Sequence, residues 1–280
     1  MSVLPKVSRG TALVTGASTG IGATYADRLA RRGYDLILVA RDQARLDALA
    51  FKLGAQTGVK IETLRADLTD KGALAVVEQR LASDPSITLL VNNAGAAADG
   101  AFGDLDVSRH QALIDLNITA LTRLTAAVVP AFKARGKGSI INIASVLALT
   151  HEIGMPVYNA TKSYVLALTR ALQKELGPQG IYLQAVLPGA TRTEIWERAG
   201  TSLDALPQDW VMSVEDLVDA ALVGFGRGEL ITIPPLPDEA QWEAYDAARV
   251  ALLPNLSRSK SADRYHEKSP LEAWTQPIFA

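Results

Sequence analysis

Short apolar runs alternate along this 280-residue chain with longer stretches whose apolar residues recur at helical spacing. Leu36-Ile37-Leu38-Val39 has no polar position at all. A strand covered on both faces reads that way, and parallel sheets are covered on both faces. Runs of this kind predict strands over 11–14, 35–40, 60–65, 88–91, 139–144, 182–187 and 229–233. Amphipathic stretches predict helices over 21–32, 43–53, 72–81, 108–134, 157–176 and 214–224, with Leu46, Leu49 and Leu53 marking the inner face of the second. Strand and helix in alternation predict an α/β fold: a doubly wound, seven-stranded parallel sheet with helices on both faces and right-handed crossovers.

No repeat, low-complexity block or linker divides the chain, so a single domain over 1–280 is expected. Its core spans about 10–233. The long connection 191–212 is a candidate substrate lid, and 234–280 is a C-terminal extension with a helix expected over 238–252 and a tail ending in Leu271, Trp274 and Phe279. The formal charge of −2 gives no excess of either sign to attract nucleic acid or an anionic membrane. The chain has no cysteine, which excludes disulfides and thiolate chemistry and is consistent with a reducing, cytoplasmic setting. No secretory signal and no long uninterrupted apolar run are seen, so no membrane span is expected. His110, His151 and His266 are scattered without metal-ligand spacing, and no metal is expected.

The first predicted strand runs into Thr15-Gly16-Ala17-Ser18-Thr19-Gly20-Ile21-Gly22, and a helix follows. Glycine lets the backbone turn tightly and lets a diphosphate approach it, while the helix start offers free N–H groups and partial positive charge. Such a turn alone is weak evidence; its place between a strand and a helix near the N-terminus strengthens it. The second strand ends at Val39-Ala40-Arg41. Dinucleotide sites selective for NAD place an acid near this point to grip the ribose 2′-hydroxyl, whereas those for NADP place a cation. Here Ala40 replaces the acid and Arg41 supplies a fork suited to a 2′-phosphate, although Asp42 is adjacent and a solvated Arg41 at a strand end is the alternative.

Tyr158 and Lys162 stand four apart early in a predicted helix and so share one face. A free tyrosine titrates at about 10, too high for easy proton transfer at neutral pH. A neighbouring ammonium is expected to lower it, and an oxidised nicotinamide would add further positive charge.

In order along the chain, the glycine turn, Asn92-Asn93-Ala94-Gly95, Asn117, Ser145, Tyr158 with Lys162, and Pro188-Gly189 with Thr193 resemble the short-chain dehydrogenase/reductase (SDR) family, in its subgroup with subunits of about 250 residues. The resemblance spans roughly residues 10–233. It implies a Rossmann-type fold and a hydride transfer between nicotinamide and a carbonyl or secondary alcohol. Tyr158 is then the general acid/base, Ser145 a hydrogen-bond donor to the reacting oxygen, and Lys162 the contact to the nicotinamide ribose. Asn117 would hold a water linking Lys162 to solvent. The cofactor would meet Gly16, Ser18, Thr19, Gly20, Ile21 and Gly22 at its diphosphate and Arg41 at its 2′-phosphate, making NADP(H) the preferred cofactor over NAD(H). Asp67 and Leu68 would meet the adenine; Asn93, Ala94 and Gly95 would line the cofactor beside the fourth strand. Pro188, Gly189, Thr191 and Thr193 would meet the carboxamide. Without the resemblance, Asn117 is an ordinary polar helix residue, Ser145 a strand-end cap and Asp67 a helix cap.

Departures from the family pattern are Thr191, where Ile or Val is common, and the exit of the last strand into Pro234-Pro235. The second puts the family's tetramer interface in question, while a homodimer through 108–134 and 157–176 is still implied, with a homotetramer as the larger form. Leu147, Ile153, Met155 and Trp196 are the candidate substrate pocket. Their apolar character points to a medium-sized ketone, aldehyde or secondary alcohol, with core packing as the alternative. A non-catalytic NADP(H) sensor or scaffold on the same fold, or an epimerase or dehydratase with a similar Tyr–Lys pair, stays open on the sequence.

Overall fold

The computed structural model describes residues 9–150, 152–203 and 206–266. The chain divides into two compact units, Met1–Pro235 and Leu236–Ala280.

The first unit holds a seven-stranded sheet. Its strands are β1 (Thr11–Thr15), β2 (Asp35–Ala40), β3 (Ile61–Arg65), β4 (Ile87–Asn92), β5 (Gly138–Ile143), β6 (Ile181–Val186) and β7 (Ile231–Thr232). They run in the order β3-β2-β1-β4-β5-β6-β7 with every pairing parallel. The helices between them are α1 (Gly20–Arg31), α2 (Gln43–Thr57), α3 (Lys71–Ser83), α4 (Val107–Ile114), α5 (Leu121–Arg135), α6 (Pro156–Leu176), α7 (Ile195–Ala199) and α8 (Val214–Arg227).

Alternate residues of the apolar runs feed opposite faces, as the period of a strand requires. Leu36 and Leu38 join Tyr25, Leu29, Leu46, Leu53 and Leu217 in the layer under α1, α2 and α8. Ile37 and Val39 join Leu74, Val77, Leu124, Phe132 and Leu176 under α3, α5 and α6. Strand order reverses between β1 and β4, so a crevice opens beyond their carboxyl ends, where open α/β sheets bind ligands.

Two expectations need correction. The stretch 108–134 is not one α-helix: a π-helical segment, Asp115–Ala120, separates α4 from α5. Asn117 lies in this segment. Val107–Arg135 is also long and apolar enough to cross a membrane by length and composition. Leu113, Leu121, Leu124, Val128 and Phe132 are nonetheless buried inside the protein. Finally, the strand expected over 229–233 pairs only at Ile231 and Thr232, before Pro234 and Pro235 remove two further N–H donors.

The connection 191–212 contains α7 and is tied at its ends by a parallel bridge between Thr191 and Met212. The second unit contains α9 (Glu239–Ala251), capped by Asp238, with no buried residue. Leu271, Trp274 and Phe279 lie outside the described residues, as does His151.

Candidate active site

The glycine turn is built so that no side chain fits within it. A Cβ on Gly22 would come within 2.3 Å of the Gly16 carbonyl oxygen, and one on Gly16 within 2.9 Å of the Ala94 Cα. Gly16 and Gly20 also have φ of +65° and +54°, which glycine adopts without steric cost. The turn is braced from β4. Asn93 Nδ2 donates to the carbonyls of Thr15 (2.8 Å) and Gly16 (3.3 Å). The Thr15 hydroxyl accepts the N–H groups of Asn93 and Ala94, each at 3.0 Å, and donates to the Val91 carbonyl. Asn93, expected to line the cofactor, thus spends its amide group on the turn itself.

Helix α1 begins from this turn without a side-chain cap and without an acidic residue in its first turn. By contrast α2, α3, α4, α8 and α9 are each capped by an Asp or Ser side chain. The first N–H groups of α1 are left for an anion, and the glycines leave space for it to approach. These residues fit the diphosphate of a dinucleotide.

At the far end of the crevice Arg41 is exposed just beyond β2. Arg65, the last residue of β3, is in register with Ala40 and donates from Nε to the Arg41 carbonyl at 3.2 Å. Strand pairing therefore brings Arg65 beside Arg41 at the end of β2. Sequence reasoning named only Arg41; Arg65 becomes its neighbour through strand pairing, which leaves no local signal. Asp67 is half-buried, which works to raise its pKa. Hydrogen bonds from Thr69 and the charge of Arg41 more than offset this and hold the carboxyl below its ordinary range. Asp70, not Asp67, caps α3. Leu68 is 5% exposed and packs in the core under α3 and α5.

Ser145, Tyr158 and Lys162 converge beyond the end of β5. Ser145 is buried at the strand end and accepts the Leu147 N–H at 3.1 Å. The alternative reading as a cap also holds, since this bond opens a short 3-10 turn, Val146–Ala148. Ser145 faces the Tyr158 hydroxyl and favours its charged form. Lys162 is buried, with Nζ donating to the Ile143 carbonyl at 2.9 Å and lying 5.6 Å from the centroid of the Tyr158 ring. The net shift of the tyrosine is upward, with burial as its largest cause. Burial pushes the Tyr158 phenol up to about 12, and Ser145 offsets only part of that rise. The same desolvation brings Lys162 down to about 8.

Asn117 is also nearby, but its amide is committed. Its Oδ1 accepts the Ala96 N–H at 2.9 Å, and its Nδ2 donates to the Ala96 carbonyl (2.9 Å) and to Thr161 Oγ1 (3.0 Å). This two-way bond to the loop after β4 falls within the widened π turn, and such turns often occur at functional sites. A water held by Asn117 would therefore not depend on a free side-chain amide. Gly95 lies between these groups: a Cβ there would stand 3.3 Å from Asn117 Oδ1 and 3.5 Å from Lys162 Nζ.

The backbone around Pro188 and Gly189 meets Ser145 from β6. The Val146 N–H donates to the Pro188 carbonyl at 2.9 Å. Thr191 is buried and turned back onto the Gly189 carbonyl, while Trp196 Nε1 donates to the Thr191 carbonyl at 2.8 Å. The start of the connection 191–212 reaches across to the glycine turn, where a Cβ on Gly20 would lie 3.2 Å from Thr193 Cγ2. Arg45 of α2 donates from Nη1 to both carboxylate oxygens of Glu194, and the Asp99 N–H donates to the Ala199 carbonyl. Leu147, Met155 and Trp196 are half-buried, whereas Ile153 is 54% exposed.

Comparison with known proteins agrees with this geometry. The family model described as short chain dehydrogenase matches residues 10–203. A short-chain dehydrogenase from Sphingobium yanoikuyae, solved in complex with NADPH, is 56% identical with a TM-score of 0.89, over 91% of this chain and all of that one. A bulky-bulky ketone specific alcohol dehydrogenase from Comamonas testosteroni is 50% identical with a TM-score of 0.86, over 92% of this chain and 99% of that one. A very-long-chain 3-oxoacyl-CoA reductase of Danio rerio is 34% identical over 71% of this chain, which spans 63% of that reductase's length.

Proposed function

The chain belongs to the short-chain dehydrogenase family, and from that premise we propose that it is an NADP(H)-dependent oxidoreductase acting on a carbonyl or secondary alcohol of a medium-sized, largely apolar substrate. The observation that carries the reading is the convergence of the Ser145 and Tyr158 hydroxyls with Lys162 beside the crevice.

When bound, the nicotinamide supplies or accepts the hydride, and its oxidised ring adds positive charge near the phenol. The protein's own groups hold the reacting oxygen and move its proton. In reduction Tyr158 donates a proton to the carbonyl oxygen as it becomes an alkoxide, while Ser145 donates a second hydrogen bond to the same oxygen. A phenol held near 12 stays protonated at neutral pH and is available as an acid. Lys162, down at about 8, remains mostly an ammonium there and steadies the phenolate left behind. Oxidation runs the same proton transfer in reverse and needs the phenolate, which the charge of an oxidised ring would favour.

NADP(H) is favoured over NAD(H) because Ala40 offers no carboxylate to a 2′-hydroxyl while Arg41 and Arg65 offer two cations to a 2′-phosphate. The NADPH complex of the Sphingobium dehydrogenase supports that choice, and the ketone named for the Comamonas enzyme supports a bulky carbonyl substrate. A homodimer or homotetramer in the cytoplasm completes the proposal.

The test is a panel of ketones, aldehydes and secondary alcohols followed at the nicotinamide absorbance with each cofactor. Turnover of bulky ketones with NADPH is expected. Failure to oxidise NADPH or reduce NADP+ with any panel member would sink the reading, and equal use of NADH would sink its cofactor half.

A further inference from the structure

The connection from Ser145 to Tyr158 carries a hydroxyl of the proposed site at each end. Beyond the 3-10 turn Val146–Ala148 no described residue of it belongs to a helix or strand until α6 begins at Pro156. Its shape is held from outside, by α6.

Asn159 collects three successive carbonyl groups of this loop. Its side-chain Nδ2 donates to Ile153 at 2.7 Å and to Gly154 at 2.8 Å, and its backbone N–H donates to Met155 at 3.0 Å. The Thr150 carbonyl lies a further 3.5 Å from the same Nδ2. One turn on, Ser163 Oγ reaches the Ala148 carbonyl at 3.2 Å and the Asn159 carbonyl at 3.0 Å. Residues four apart share a helical face, so α6 presents two neighbouring rows. Tyr158 and Lys162 form one; Asn159 and Ser163 form the other and hold the loop.

Two further observations show that this hold is not ordinary packing. Asn159 is 4% exposed, yet its Oδ1 has no hydrogen-bond partner, an arrangement that native interiors generally avoid. Met155 has φ +60° and ψ +53°, a left-handed conformation, although it is not glycine and precedes a proline. Such strain persists where the surroundings over-determine it, and it gathers at functional sites. The Asn159 side-chain amide holds the two residues immediately before the strained one, and its backbone N–H holds Met155 itself.

We propose that Asn159 is a positioning residue, which fixes residues 153–155 against the start of α6 and thereby sets the range of substrates the site accepts, with no part in proton transfer. The proposal rests on the reading of Ser145 and Tyr158 as the reacting pair. Ile153 and Met155 stand between those two hydroxyls in sequence, so the shape of the loop decides where their apolar side chains meet a substrate. A hydrogen-bonded amide holds that shape more firmly than apolar contact would, because the loop cannot shift without stranding two carbonyls.

The experiment compares wild type with Asn159→Ala and Asn159→Ser, each checked for folding by circular dichroism and for NADPH affinity by fluorescence. Hydrogen–deuterium exchange is read over residues 146–158, and kinetics on one bulky and one small ketone across pH. Exchange in this segment should rise while β1 to β4 stay protected. The ratio of kcat/KM between the two ketones should change by about tenfold, the size expected for losing hydrogen bonds of this kind. The change should fall mainly on KM for the ketone, with NADPH affinity and the pH profile of kcat unmoved. Unchanged exchange over 146–158, or an unchanged ketone ratio in an active enzyme, overturns the proposal. Should Asn159→Ala not fold, Asn159→Ser carries the same measurements. A wild type that turns over no ketone removes the reductase reading instead, and exchange alone then decides whether Asn159 holds the loop.

Discussion

Tyr158 and Lys162 are displaced by one cause acting on opposite charge types. Burial disfavours the phenolate, pushing Tyr158 up to about 12, and disfavours the ammonium, bringing Lys162 down to about 8. Replacing Tyr158 with Phe should lower kcat by at least about a hundredfold, the usual worth of a general acid, with NADPH affinity nearly unchanged. Full retained turnover would remove the tyrosine from the mechanism. For Lys162 the sign concerns stability. The unfolded chain binds this proton more tightly than the folded one, with an unfolded pKa of about 10.4. Burial of the charge is therefore a full penalty below about pH 8 and is relieved as pH rises from there toward the unfolded value. Relative to wild type, Lys162→Met should be stabilised most at pH 7, and urea unfolding should show the gap narrowing between pH 8 and 10. A constant gap contradicts the lowered pKa. Both residues were legible because their chemistry has a fixed helical spacing. Arg65, Thr15 and Asn159 were not, because each works through partners brought to it by pairing or loop geometry.

The helix pattern over 108–134 revealed an apolar face but not the π turn within it. One widened turn barely disturbs the spacing of apolar residues, and its local hydrogen bonds depend on a loop more than twenty residues away in sequence. Asn117→Ala should strand the Ala96 N–H and carbonyl. It should cost about 1–3 kcal/mol in urea unfolding, the range for unsatisfied buried polar groups. A loss near zero would make the bond incidental. The turn before α1 was legible from its glycines, yet only the structure separates their tasks. Gly22 faces backbone at 2.3 Å, so Gly22→Ala has no room to be absorbed by a side-chain rotation. Overpacking of about 1–3 kcal/mol is expected in thermal or urea unfolding, together with loss of NADPH binding. An alanine variant that binds NADPH normally would show the diphosphate cradle lies elsewhere.

At the scale of the molecule, the inner strands of the parallel sheet were written in apolar runs such as Leu36–Val39 because both their faces are covered, whereas the edge strand β3 has no fully buried residue. The shortened β7 was not, since two prolines after Ile233 act on pairing, not on hydrophobicity. A ligand that binds only the folded state stabilises the whole sheet by mass action. NADPH at a hundred times its Kd should add about 2.7 kcal/mol to unfolding, and Arg41→Ala should remove most of this at the same NADPH concentration. An undiminished shift in that variant would locate the 2′-phosphate away from β2. The hydroxyl of Thr15 carries one more consequence. It holds the last residues of β1 to those after β4, and Asn93 closes the same joint from the other side. These strands flank the reversal of the sheet, where its two halves meet. The gap between the diphosphate turn and the wall at Ala94 is thus set like the jaws of a locked caliper. Thr15→Val leaves every proposed proton-transfer residue in place but opens one side of that lock: the N–H groups of Asn93 and Ala94 lose their acceptor, while Asn93 Nδ2 and the pairing of β1 with β4 keep the other side closed.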